Sequence, residues 1–173
     1  MPIEIKTKVP VKDLMAGLRT LTKNEVLVGV PAENAGREAE DGQRPLNNAE
    51  IGYIQEHGST IEGGDGDSYV IPPRPHLRPG IEAAREKIAG QMKKGLLGAM
   101  KGDESAADKA LHASGLVAQN AVRNKITEGP FVPLAPMTLA KRRARGRTGT
   151  KPLIDTGAYR NAQTYVVRPK GED

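Results

Sequence analysis

Cysteine and tryptophan are absent from the chain, and one phenylalanine and four tyrosines make up its whole aromatic complement. Without cysteine there are no disulfides and no thiolate metal ligands, so stability has to come from packing. A core drawn from 173 residues with so few rings must be aliphatic and modest. Long apolar runs are missing as well. None approaches the roughly 18 residues of a membrane span, and the first residues lack the charged, apolar, small-residue order of a secretory signal. The expectation is a chain that stays on the cytosolic side, with no membrane partner. Catalytic signatures are also absent: there is no phosphate-cradling G-x-x-x-x-G-K, no dinucleotide G-x-G-x-x-G and no G-x-S-x-G elbow. The histidines, His57, His76 and His112, are scattered and carry no partner at zinc spacing. Glu56 and His57 are helix neighbours pointing about 100° apart, which disfavours a shared acid-base site. Gly63-Gly64-Asp65-Gly66-Asp67 looks like a calcium loop but lacks the third acidic position and the distant Glu. No enzyme, cofactor or metal site is expected.

What is present is charge, unevenly placed. The formal net charge is +5, yet residues 137 to 173 alone hold 9 Lys and Arg against 3 Asp and Glu, while residues 33 to 68 hold 9 acidic against 2 basic side chains. An acidic middle and a basic tail attract each other, within one molecule or between neighbouring copies. The densest basic segment is Lys141, Arg142, Arg143, Arg145, Arg147 and Lys151. It suits an acidic protein surface or a DNA backbone. No aromatic residue interleaves with these cations, so base stacking has little support.

Proline is plentiful, and it concentrates in Ile71-Pro72-Pro73-Arg74-Pro75-His76-Leu77-Arg78-Pro79-Gly80. Pro72, Pro73 and Pro75 fix φ and remove backbone donors, making a stiff extended arm, whereas Pro79 fits the first turn of a helix. The arm reads either as a rigid strand-to-helix connector or as a device presenting Arg74, His76 and Arg78 to a partner. Apolar spacing then predicts one helix from Arg78 to Met100 and a second whose stripe is Leu111, Gly115, Ala118, Val122 and Ile126, ending at Gly129-Pro130. Ser105 with Asp108 approximates a capping box for the second. Two long helices joined by a short break pack antiparallel, and Gly115 implies close approach.

Elsewhere, Ile3 and Ile5 alternate as a half-buried strand, residues 10 to 22 form an amphipathic helix, and Val26 to Val30 reads as a strand buried on both faces. Asn47 to Gly58 is a capped helix stopped by glycine. Residues 32 to 46 and 59 to 68 read as mobile acidic loops. Tyr69 to Ile71 and Gln163 to Arg168 are short strands, Phe131 to Pro136 is a second stiff connector, a short helix starts at Thr138, and Asp155-Thr156-Gly157 caps another. The predicted class is α+β in a single domain over residues 1 to 173: a small mixed sheet of about four short strands packed on the antiparallel helix pair, with shorter helices and long loops.

Three separated pieces, in this order, carry a resemblance: Asn48 to Gly58 with Tyr53, Glu56 and Gly58; the arm with Pro73, Pro75, Leu77 and Pro79; and Leu134 with Pro136, followed by Leu153-Ile154-Asp155-Thr156-Gly157. The chain resembles the tail-completion or neck proteins of long-tailed double-stranded DNA bacteriophages, also called minor tail or virion morphogenesis proteins. Those proteins show a similar helix end, a Pro-x-Arg-Pro-Phe-Leu-Arg-Pro arm and a Leu-x-Asp-Thr-Gly turn. His57 and His76 stand where an aromatic is common, and Met137 where Ser or Thr is usual. The resemblance implies a non-enzymatic virion protein, made in the host cytoplasm. It further implies a homo-oligomeric ring of six copies that joins the finished tail to the head-side connector. Its implied partners are tail terminator, tail tube and head-completion proteins. Arg74, His76, Arg78, Arg142, Arg143, Arg145 and Arg147 are the interface candidates. The alternative is a DNA-backbone-binding protein using residues 141 to 151.

Overall fold

A single helix, Ala106–Glu128, runs through the middle of the molecule, and most other elements lean on it. The computed structural model describes residues 11–37, 46–62, 66 and 68–171, the side chains of Asp13 and Leu14 excepted. The strand expected at Ile3 and Ile5, most of the acidic loop before Asn47 and most of the Gly63 to Asp67 segment lie outside those residues. In chain order the elements are α1 (Val11–Lys23), β1 (Asn24–Gly29), a 3-10 turn (Ala32–Asn34), α2 (Asn48–His57), β2 (Ser59–Glu62), β3 (Ser68–Ile71), α3 (Leu77–Ala83), α4 (Arg85–Met100), α5 (Ala106–Glu128), α6 (Pro136–Ala144), α7 (Ala158–Ala162) and β4 (Thr164–Pro169). The class is α+β, with α4 and α5 packed closely as the expected helix pair.

The predicted stripe of α5 is its buried face: Leu111, Gly115, Ala118, Val122 and Ile126 are all inside. Small residues bring the neighbours close. A Cβ on Gly95 or Gly98 of α4 would sit 2.3 Å from Ala110 or 2.5 Å from Ala106 of α5. Gly115 was expected at this helix contact but serves another. A Cβ there would lie 2.2 Å from the Tyr165 ring, so it is β4 that presses into α5 at that point. The helix predicted from Arg78 to Met100 bends at buried Ala84, whose backbone leaves helical geometry at φ −98° and ψ 1°. The bend lets α3 and α4 both lie along α5, and Gly80 of α3 touches the backbone of Val122.

The described strands form two separate antiparallel pairs in place of one mixed sheet, β1 with β4 and β2 with β3. Val26 and Val28 face inward, opposite Val167 and Tyr165, while Leu27 and Val166 pair on an outer face, each 37% exposed. The strand expected to be buried on both faces is therefore half of a two-stranded ribbon with one wet face. Residues 59–62, expected as loop, are β2. The Gly- and Asp-rich stretch from Gly63 to Asp67, set between a short run with Thr60 and Ile61 and another with Val70 and Ile71, is a hairpin signal in the sequence. Val122, Ile126, Leu153 and Tyr159 make the core, with Val28, Ile51, Leu77, Ile81 and Phe131 against it. No described helix is long and apolar enough to cross a membrane.

Helix ends agree with the sequence only in part. At α2 the reciprocal box is complete, Asn47 accepting from the Glu50 N–H and Glu50 from the Asn47 N–H, and Gly58 ends the helix at φ 79°. At α5 the Ser105 side chain does not cap; its N–H and hydroxyl both donate to Asp103 Oδ1, at 3.0 and 2.6 Å. For α6, Pro136 occupies the first turn, so the helix begins two residues before Thr138.

Candidate functional site

Extended proline-rich segments have carbonyls that no ladder satisfies, so a donor has to be brought to them. Arg74 does this between the two stiff connectors. Its guanidinium donates to the Val132 carbonyl at 2.8 Å, the Pro133 carbonyl at 3.0 Å and Gln55 Oε1 at 3.0 Å. The residue is 4% exposed. Its backbone N–H donates to the Gln55 carbonyl at 2.6 Å, tying the arm to α2. Arg74 therefore clamps the arm, α2 and the 131–136 connector of one chain together, and the expectation that it faces a partner is corrected.

Two residues on, Glu56 receives the start of α3. Its Oε2 accepts the N–H groups of His76 at 2.7 Å and Leu77 at 3.0 Å, which have no carbonyl partner inside the helix. A carboxylate there also meets the positive end of the helix. Burial alone would raise the Glu56 carboxyl. The His76 and Leu77 N–H groups, the His76 ring and the Arg78 N–H outweigh it and hold the group below the usual carboxylate range. The carboxylate thus acts across the chain on the arm and has no part with His57.

His76 is wholly buried, and burial pushes its pKa down despite the Arg74 carbonyl and the Glu56 charge. Its ring assigns its own tautomer. Nδ1 lies 2.9 Å from the Arg74 carbonyl and 3.1 Å from Glu56 Oε2, both acceptors, so Nδ1 carries the proton. Nε2 then accepts from the Tyr159 hydroxyl of α7. The order Tyr159, His76, Glu56 has the look of a proton relay, but burial and the nearby Glu56 charge drive the phenol well above its ordinary value. A phenol so disfavoured as an anion is a lock on α7 and a poor base or nucleophile. Beside it the Gln163 amide, wholly buried, approaches the Tyr159 hydroxyl, yet neither of its polar atoms reaches a hydrogen bond of normal geometry.

The third piece is held by Arg142, only 9% exposed. Its Nη1 donates to the carbonyls of Gly149 at 3.0 Å, Lys151 at 2.9 Å and Ile154 at 3.0 Å, and its Nε faces Asp155 Oδ1 at 3.4 Å. Arg147 donates to Asp155 Oδ2 at 2.7 Å. Asp155 therefore pins the turn after α6 and does not cap α7; that position falls to Gly157 at φ 85°, with Thr156 Oγ1 accepting from the Ala158 N–H. Leu153, beneath this turn, is buried in the core.

The remaining candidates separate. Arg78 is exposed and pairs with Glu82 one turn on. Arg143 and Arg145 are exposed at the end of α6. Tyr53 is 70% exposed, its ring 4.7 Å from that of His57. Leu77, Pro79 and Leu134 are half-buried; Pro73, Pro75 and Pro136 are exposed; and Gly58 is required because a Cβ would lie 2.9 Å from the Ile71 carbonyl. Arg123 went unnoticed in the sequence. It donates to the Gln163 carbonyl at 2.6 Å and the Asn161 carbonyl at 3.0 Å, closing α7 onto α5. Comparison with protein-family models, with curated proteins and with solved structures found no match to the chain.

Proposed function

We propose that the chain is a non-enzymatic assembly subunit of a phage virion, one that completes the tail end and joins it to the head-side connector as a ring. The observation that carries this reading is the convergence of the three pieces that resemble tail-completion proteins. Gln55 and Glu56 of the first are hydrogen-bonded to Arg74 and His76 of the second, Arg74 reaches the Pro133 carbonyl next to Leu134 of the third, and His76 bonds Tyr159, two residues past the Asp155-Thr156-Gly157 turn. Unconnected chance matches have no reason to meet. A subunit built this way has its stiff connectors locked before it meets a partner, which lowers the ordering cost of joining. On this reading it sits at the virion neck, is made in the host cytoplasm, and meets tail terminator, tail tube and head-completion proteins, six copies to a ring.

The test is microscopy of particles produced without the protein. Filled heads and finished tails that stay apart, and that join when the purified protein is added, support the reading; normal joined particles in its absence overturn it. The DNA-backbone alternative loses ground to one observation. Of the six cations in residues 141 to 151, at least Arg142, Arg145, Arg147 and Lys151 are engaged, Lys151 donating to the Thr127 carbonyl at 2.9 Å.

A further inference from the structure

We infer that the Gln163 amide is the second half of a proton switch at His76: when the ring gains a proton, the Tyr159 hydroxyl turns from His76 to Gln163, and α7 stays locked to the arm. This does not rest on the assembly reading. It starts from an amide that is wholly buried and whose oxygen and nitrogen both lack a hydrogen-bond partner among the described residues. Burying such a group unpaired is costly, so its place in the core calls for a reason. A leucine would fill nearly the same space without that cost.

The neighbouring phenol supplies the reason. A phenol oxygen donates one hydrogen bond and accepts others, and its proton can swing between opposed directions in the ring plane. In the neutral knot that proton points at His76 Nε2, and the Gln163 amide lies beside the same oxygen. An amide offers NH2 on one edge and a carbonyl on the other, and no other bond here fixes which edge faces the phenol. A space of about 250 Å³, lined in part by Gly52, Glu56, Tyr159 and Gln163, adjoins it and lets it turn over. A proton from solvent then bonds to Nε2, the ring becomes a cation, and Nε2–H donates to the Tyr159 oxygen. The phenol proton swings to the Gln163 carbonyl oxygen, and the phenol stays neutral, as its raised pKa requires. Nδ1–H keeps the Arg74 carbonyl and Glu56 Oε2, at 2.9 and 3.1 Å. Without Gln163 the two protons would point at each other, and one would go unpaired.

The new charge faces Glu56 of α2, whose carboxyl is held below the usual carboxylate range. The other charged or titratable side chains around the ring turn elsewhere. His57 of α2 meets Tyr53, Arg74 of the arm the Val132 and Pro133 carbonyls, and Arg78 of α3 Glu82. Arg123 of α5 holds the Asn161 and Gln163 carbonyls, and Arg160 of α7 holds Thr127.

Nuclear magnetic resonance of the imidazole nitrogens, followed against pH in the full chain, tests the switch. His76 should take up its proton while the backbone amide signals of α7 keep their native positions. Gln163→Leu removes the second acceptor and should lower the proton affinity of His76 at least about tenfold. In a Tyr159→Phe background, where the relay is already cut, the same change should alter it by less than about twofold. A general loss of polarity would act equally in both backgrounds. A ring that titrates only as the protein unfolds, a Gln163→Leu variant whose His76 titrates like the parent's, or an equal loss in the Tyr159→Phe background overturns the switch. If Gln163→Leu does not fold, Gln163→Met takes its place with the same outcomes, and if Tyr159→Phe does not fold, the comparison with the parent decides.

Discussion

A charged side chain next to a proline-rich segment looks solvated when only its neighbours in sequence are considered. Arg74 and Arg142 are instead the donors for carbonyls that their own prolines and turns leave without a ladder. The signal was present in the accounting, since segments 71–75 and 131–136 hold carbonyls that need partners and few other donors are near. Arg74→Ala should therefore cost at least about 3 kcal/mol in urea unfolding, because several buried acceptors lose their donor at once. Arg78→Ala, at an exposed pair, should stay within about 0.5 kcal/mol. The buried His76 gives a pH signature. Its folded-state pKa is depressed, so its stabilising contribution is complete above its ordinary value of 6.5 and is lost as pH falls through the folded value. Glu56, depressed from 4.5, acts in the same direction further into acid. The melting temperature should fall between pH 7 and pH 5. In His76→Phe that slope should flatten, while the protein becomes less stable overall by about 1–3 kcal/mol because the Tyr159 hydroxyl loses its acceptor.

Elements with a strong local period were legible, and those defined by distant partners were not. The Asn47–Glu50 box, the Gly58 stop and the α5 stripe are each written within a single helix, so spacing found them. The bend at Ala84 answers to where α5 lies and leaves no mark in its own periodicity, while β2 is marked only by the turn residues that follow it. Glycine separates the two cases sharply. Gly115→Ala places a methyl against the Tyr165 ring, which the helix cannot yield, and should cost about 2 kcal/mol or more. Gly90→Ala on α4 meets nothing within 4 Å and should instead stabilise by about 0.5–1 kcal/mol, through helix propensity alone. Thermal melts of the two variants side by side check both signs.

At the scale of the whole molecule, the basic tail is two things at once. Replacing Lys141 and Arg143 by Ser should leave the melting temperature within about 2 °C, whereas Arg142→Ser should abolish the cooperative transition or lower it by more than about 8 °C. Binding to duplex DNA, measured against salt, should show a log-log slope no steeper than about −2, as expected when Lys141 and Arg143 are the cations of this segment that reach phosphates. The pairing of β1 with β4 reaches furthest along the chain. Gly29 meets Thr164, about 135 residues later in synthesis. At about 5–20 residues per second a ribosome needs roughly 7–27 s to cover that distance. Through that interval Val26, Leu27 and Val28 leave the ribosome as an apolar strand whose described partner has not yet been made, and once α5 is made its Gly115 cradle stands open until Tyr165 follows. The nascent protein thus carries most unpaired apolar surface after α5 has been made and before β4 follows.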